Sequence, residues 1–447
     1  MFDRLTRLRE VARWMGPSWL AGAIAAGPAT MASLLTAGAA FGYDLLWVVV
    51  LSAVLGTLAQ YLSMRLGLLT ERGIVAAVER HLGGGWAWVL VVDAVLAAGL
   101  AQLVIMKGLA DVTAALTGID ARVAGVGWAL VLAVGLAGGG YRVAELGAKV
   151  LVAGVVLAFV ATLSAVPVDA TAALGGLVPA VPDGGALLVA GILGGAVHVT
   201  LVTMHTYTVR ARGWTREDHA AATLDVVGSM GVAFGAYSLA IFLVAASVLG
   251  GTPDVTAVAA GRALAPVAGA SAEWLFLLGL LGAAVSTLGG NTVVPPYLVA
   301  DRLGWDTDVE DPRYRALLAG TALASAAGAF LGGAFFPLLV LVIAFGLVAT
   351  PFALAVVLYL LNDPAAVPSV NGRLANLAGG ALLAIVVAVN VARLRERVAL
   401  SGGAGALDLA VLAFAVVTGA ATLLVLGKLW RRSYAPGRRR RTDSDSR

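Results

Sequence analysis

The feature that most limits what this chain can fold into is a bilayer-length apolar stretch broken in its middle by a proline. Residues 16–43 read GPSWLAGAIAAGPATMASLLTAGAAFGY, and Gly27-Pro28-Ala29 falls where a spanning helix should be most regular. A proline there removes a backbone donor and crowds the carbonyl four residues back. The freed carbonyls cannot face lipid, so a break at this depth belongs where protein or a watery cavity surrounds it. Either the break opens a transport site between two half-helices, or it is a kink that tunes helix packing.

The rest of the chain carries the same apolar signal. Of 447 residues, 60% are hydrophobic and 13% charged, about half the charged share of an average soluble domain. Apolar segments long enough to span, roughly twenty residues each, fall near 16–38, 44–67, 86–107, 122–139, 147–166, 184–206, 225–249, 273–299, 315–332, 336–360, 373–393 and 407–429. The expected fold is an all-α polytopic membrane protein of about twelve helices. Cysteine is absent, which excludes disulfides, thiolate metal sites and cysteine nucleophiles. No HExxH motif or sizeable soluble segment points to an enzyme, and no cofactor is implied.

Residues 1–14, MFDRLTRLREVARW, form a basic amphipathic lead rather than a cleavable signal, so the first span is expected to be retained. With a cytoplasmic N-terminus, the inner segments hold 24 of the 30 Lys and Arg, as the positive-inside rule requires. The net charge of +4 and pI near 9.5 follow from that placement, and no nucleic-acid partner is needed. The exception is Arg393, Arg395 and Arg397, expected in the last outer loop. The Arg438–Arg441 tail reads as solvated, in contact at most with anionic lipid.

A Gly-, Pro- and Asp-containing loop between the fifth and sixth spans divides two sets of five helices. An odd number per half inverts the second half relative to the first. The expected division is a first repeat over 1–166, an extracytoplasmic connecting loop over 167–183, a second repeat over 184–360, two further helices over 361–430 and a basic cytoplasmic tail over 431–447. The sixth span should then be interrupted like the first, and Gly191-Ile192-Leu193-Gly194-Gly195 precedes the polar run His198, Thr200, Thr203, His205 and Thr206.

Ionisable residues inside a membrane are costly and functional by default. His198 and His205 lie seven apart, near one face if the helix continues between them. They suit metal ligation, proton transfer or substrate hydrogen bonding; the alternative is a pair packed against neighbouring carbonyls. Asp93 on the third span is either a proton relay or ion ligand, or the partner of an arginine near the inner surface. Thr30, Ser33 and Thr36 follow the first break. Gln102 and Asn291 are candidate cavity residues, and Pro295-Pro296 marks a further distortion.

Gly16-Pro17, Phe41-Gly42-Tyr43 and Leu45-Leu46-Trp47 bracket the first span and open the second. Gln60-Tyr61-Leu62-Ser63, Arg65-Leu66-Gly67, Gly140-Tyr141-Arg142, Gly176-Leu177-Val178-Pro179 and Pro351-Phe352-Ala353-Leu354 follow. In this order the motifs resemble the NRAMP family of divalent metal transporters, members of the LeuT-type superfamily. The resemblance implies a LeuT-type inverted five-plus-five repeat and alternating access in the cell membrane. It also implies a metal site at the two breaks: Gly27, Pro28, Ala29 and Thr30 with Gly195, His198 and Thr200. Thr30 and His198 would be the metal ligands, and Asp93 and His205 would handle protons.

The departures fall on the working residues. Gly27-Pro28-Ala29-Thr30 stands against the family's Asp-Pro-Gly-Asn, and His198-Val199-Thr200 against its Met-Pro-His. Leu100 and Leu103 stand near its acidic proton-path positions. A dehydrated divalent ion wants opposing charge, and Gly27 supplies none. A same-fold carrier of a small organic anion or amino-acid-like solute is therefore the alternative. The oligomeric state is not encoded in any motif, and a monomer is consistent with all of them.

Overall fold

The computed structural model describes residues 25–138, 141–252, 255–400 and 406–434. The amphipathic lead, Gly16-Pro17, Gly140 and the Arg438–Arg441 tail lie outside the described residues. Every regular element among them is helical. The spans are α1 (Pro28–Phe41), α2 (Leu46–Thr70), α3 (Gly84–Thr117), α4 (Ala121–Ala137), α5 (Tyr141–Ala165) and α6, split into α6a (Ala186–Ala196) and α6b (Val199–Ala211). Next comes α7, which runs His219–Val226, then a π-helical Val227–Phe234, then Gly235–Val248. The remainder are α8 (Ala272–Leu303), α9 (Pro312–Ala324, tightening to 3-10 over Ser325–Phe330), α10 (Phe335–Leu361), α11 (Arg373–Leu400) and α12 (Ala406–Tyr434).

Nine of the described helical runs are long and apolar enough to cross a membrane, and α1 and α4 are shorter apolar helices. The less apolar α9 packs against α4, and its 3-10 end against α3. The spans sort into a centre and a periphery. In α6 and α10, 89% of the most apolar window is buried in protein, against 22% in α5 and α12 and 28% in α11. Helices apolar all round are buried or face lipid, and here α1, α6 and α10 form the axis around which the others pack.

A proline inside a central helix leaves a carbonyl to be satisfied, and at Pro351 a neighbouring helix supplies the donor. Pro351 within α10 cannot donate to the Leu347 carbonyl, which instead accepts a hydrogen bond from Asn390 Nδ2 of α11 at 2.9 Å. Pro295 and Pro296 lie inside a continuous α8, so the expected distortion does not end that helix. It deprives the Asn291 and Thr292 carbonyls of their intrahelical amides.

Three boundaries differ from the sequence reading. The sixth span breaks at Val197-His198 rather than at the glycines, which remain helical in α6a. A Cβ on Gly191 would meet Ser33 of α1, and one on Gly194 the Ile343 carbonyl of α10, so these glycines serve close helix approach. The helix α11 reaches Leu400, which puts Arg393, Arg395 and Arg397 on its last turns rather than in a loop. And α3 continues to Thr117, with Lys107 paired to Asp111 at 3.0 Å one turn on.

Candidate functional site at two helix breaks

Gly27 is the N-cap of α1 in extended conformation, with Pro28 at the first helical position, where the absent N–H costs nothing. His198 is the N-cap of α6b. The two breaks meet around a cavity of about 40 Å³ lined by Ala25, Gly27, Ala29, Thr30, Gly194, Gly195, His198 and Thr200, with Thr287 and Asn291 of α8 and Ala101 and Ile105 of α3. Of the proposed site residues, Gly27, Ala29, Thr30, Gly195, His198 and Thr200 line it; Pro28 lies between two that do.

The broken backbone is satisfied by hydroxyls. Thr30 donates to the Ala25 carbonyl, Tyr237 of α7 to the Ala26 carbonyl at 3.0 Å, and Thr350 of α10 to the Val197 carbonyl at 3.0 Å. Tyr237 and Thr350 carry no local sequence signal, because their partners are set by packing across helices. With its proton engaged by Ala25, Thr30 lines the cavity with a hydroxyl oxygen left only to accept. The last turn of α6a presents carbonyls without intrahelical amide partners, and that end of a helix dipole favours a cation.

His198 Nδ1 lies 2.8 Å from Thr200 Oγ1. Nδ1 also accepts the Thr200 amide N–H at 3.3 Å, so it carries the lone pair and Nε2 the proton of the neutral ring; a metal at Nε2 requires the other tautomer. A methyl on Gly346 of α10 would overlap that Nε2, so Gly346 makes the room in which the imidazole stands. Thr287 Oγ1 is buried with no hydrogen-bond partner among the described residues, and Asn291 Nδ2 donates to the Thr287 carbonyl at 3.1 Å. The cavity therefore holds one imidazole, hydroxyls of Thr30, Thr200 and Thr287, an amide oxygen and backbone carbonyls. Among the described residues no group of three His, Cys, Asp or Glu gathers as a metal cluster.

The other expected residues sit apart. Gln102 is not a cavity residue: its Nε2 bridges Thr292 Oγ1 of α8 at 3.0 Å and the Thr321 carbonyl of α9 at 2.9 Å, because its side of α3 faces those helices. His205 is buried on a continuous α6b, two turns beyond His198. Asp93 is 2% exposed, and neither carboxylate oxygen has a hydrogen-bond partner among the described residues. The arginine pairing considered for it does not form there. It lies eight residues before Ala101, about 12 Å along α3 at 1.5 Å per residue.

The second half of α6b takes part in a polar network with its neighbours. The nine-residue helix Ile74–Leu82 points its first amides at Thr206 Oγ1 (3.1 Å), the Tyr207 hydroxyl (3.3 Å) and Asp301 Oδ2 (3.1 Å). Tyr207 itself donates to Asp301 at 2.6 Å. These bonds tie α6b and α8 to the connection between α2 and α3.

Residues 18–396 match the family model described as natural resistance-associated macrophage protein-like. The chain belongs to the NRAMP family. The divalent metal cation transporter MntH of Acidiphilium cryptum is 32% identical over 336 residues, covering 65% of this chain and 72% of the relative. That of Mycobacterium tuberculosis is 27% identical over 404 residues, covering 87% and 92%. The manganese transporter of Eremococcus coleocola superposes with a TM-score of 0.72 over 93% of both chains at 18% identity. Mhp1, a nucleobase-cation-symport-1 family transporter, superposes with 0.55 over 94% of this chain at 16% identity. The fold is the LeuT type, and this NRAMP member is an integral membrane transporter.

Proposed function

We propose that this NRAMP member carries a divalent transition-metal cation through the cavity between the α1 and α6 breaks by alternating access. The observation that carries the reading is the cavity's size and donor set. At about 40 Å³ it has room for an ion or about three waters, given about 10–15 Å³ of such volume per water. An amino-acid-like solute or organic anion needs more space than that, which argues against the alternative drawn from the missing carboxylate. The His198 imidazole, once its Nε2 proton is released or shifted to Nδ1, joins the hydroxyls of Thr30 and Thr200 and the carbonyls of Gly194 and Gly195 as the coordinating set. Gly27, Pro28 and Ala29 set the α1 end, and Gly195 lets α6a approach Thr30.

An imidazole among neutral oxygens favours zinc or a similar nitrogen-preferring metal over magnesium or calcium, which want several carboxylates. Asp93, buried and without a hydrogen-bond partner among the described residues, is assigned the coupled proton, with His205 as the second proton-handling candidate. The network of Tyr207 and Asp301 serves as the inner gate. The halves 1–166 and 184–360 act as the two inverted repeats, with 361–430 as an added pair of helices. The basic residues favour a cytoplasmic N-terminus in the cell membrane.

Uptake of zinc, manganese and magnesium into proteoliposomes, with and without a pH gradient, tests the reading. Zinc flux above manganese and magnesium, accelerated by inward protons and no longer so in Asp93→Asn, is expected. Absence of any metal flux from folded protein, with uptake of an organic solute instead, refutes it.

A further inference from the structure

A second, larger recess lies on the lipid side of the site. A groove of about 480 Å³ runs between α3, α10, α11 and α12, walled by side chains such as Leu96, Leu100, Leu338, Phe345 and Phe414. Leu96 and Leu100 are exposed, as side chains facing acyl chains would be. At one end stand Arg393 and Arg397, one turn apart on α11. Arg393 is 7% exposed, and its Nη1 has no hydrogen-bond partner among the described residues. These are the arginines that break the sided distribution of basic residues in the chain.

A guanidinium buried against apolar walls is costly to keep charged unless an anion joins it. We propose that an anionic phospholipid occupies this groove, its phosphate held by Arg393 and one acyl chain lying along α3 and α10. The planar guanidinium fork matches a phosphate diester bidentately. A recess of several hundred cubic ångströms lined by leucine and phenylalanine suits a hydrocarbon chain rather than an ion, and the bilayer supplies one.

The position gives the lipid a hold on transport. Val342 lines both this groove and the 40 Å³ cavity. On α3, Leu100, Leu103 and Val104 face the groove, whereas Ala101 and Ile105 face the cavity. One layer of helix separates acyl chain from site, so the seated lipid braces two helices that must shift during alternating access.

The test is native mass spectrometry of the full chain with phosphatidylglycerol and phosphatidylcholine of identical acyl chains, followed by metal uptake in vesicles of each lipid. The wild type should retain phosphatidylglycerol preferentially. Arg393→Gln should weaken that retention about tenfold, the loss of one charge-assisted contact, and uptake should lose its dependence on the anionic lipid. Arg393→Lys, which keeps the charge at the buried position but loses the planar fork, should retain part of the preference and separates loss of the charge from a folding effect there. Arg395→Gln, which does not line the groove, should change nothing. The proposal is overturned by equal retention of both lipids in the wild type, by unchanged preference in Arg393→Gln, or by an equal loss in Arg395→Gln. Displacement of the lipid by a free fatty acid, or a dimer that covers the groove, overturns it as well.

Discussion

Placing a carboxylate at Gly27 tests the electrostatics of the cavity most sharply. Gly27 is an extended N-cap, a position that Asp favours because its oxygen accepts an amide of the first turn. One oxygen of Gly27→Asp can cap α1 while the other faces the cavity shared with His198 and Thr30. Two unit charges 4 Å apart attract by about 4 kcal/mol at an effective dielectric of about 20, so a divalent ion gains about 8 kcal/mol gross. Desolvating the carboxylate costs several kcal/mol of that. A net gain of about 1.4–3 kcal/mol remains, a metal affinity about ten- to hundredfold tighter. The carboxylate should also draw manganese and magnesium closer to zinc in preference. Calorimetric titration of the purified variant with the three metals measures both effects. Unchanged or weaker affinity in a variant that melts like the wild type would refute the placement of the cation between the two breaks.

The remaining predictions concern the supports of the site. Thr350→Val keeps the shape but leaves the Val197 carbonyl without its donor, which should cost about 1–3 kcal/mol and lower the melting temperature; an unchanged melting curve would mean another group already satisfies it. Tyr207→Phe removes the hydroxyl shared by Asp301 and Val75, so the inner gate should open more often. Because the chain has no cysteine, Leu201→Cys provides a single reporter in the cavity wall. Its labelling from the α6b end should speed up when combined with Tyr207→Phe, with an equal rate counting against the gate. At the N-cap of α9, hydrogen bonds from Arg313 hold the Asp311 carboxyl down to about 2. A folded-state value below the ordinary 3.9 means its stabilisation is complete above that value and vanishes as pH falls through about 2. Any melting difference between wild type and Asp311→Asn should be present at pH 5 and shrink toward pH 2; a difference that grows in acid would reverse the sign.

The fold was legible because membrane insertion writes long apolar runs, and because a proline at Pro28 in mid-span has few tolerable meanings. The pairing of Gly27 to Thr30 with His198 and Thr200 followed from the second break that an inverted repeat requires. The glycines misplaced the sixth-span break: Gly191, Gly194 and Gly195 read alike as helix breakers and as close-packing positions, and only the neighbouring Ser33, Ile343 and Thr30 decide between them. Gln102 was misassigned for a related reason, since polarity within a span does not say whether the partner is a solute or another helix. Tyr237, Thr350 and Asn390 were invisible as supports, because the carbonyls they satisfy belong to helices distant in sequence. The end of α11 was hidden by its arginines, which read as loop yet continue the helix, Arg393 and Arg397 lining an apolar groove.

The central claim is that His198 at the α6 break binds the transported metal. Zinc uptake into proteoliposomes by wild type and His198→Ala, with folding of both verified by thermal melting, tests it most directly. Loss of zinc flux in a folded His198→Ala protein is the predicted result. Wild-type flux in that variant would contradict the account and move the metal away from the meeting point of the two broken helices.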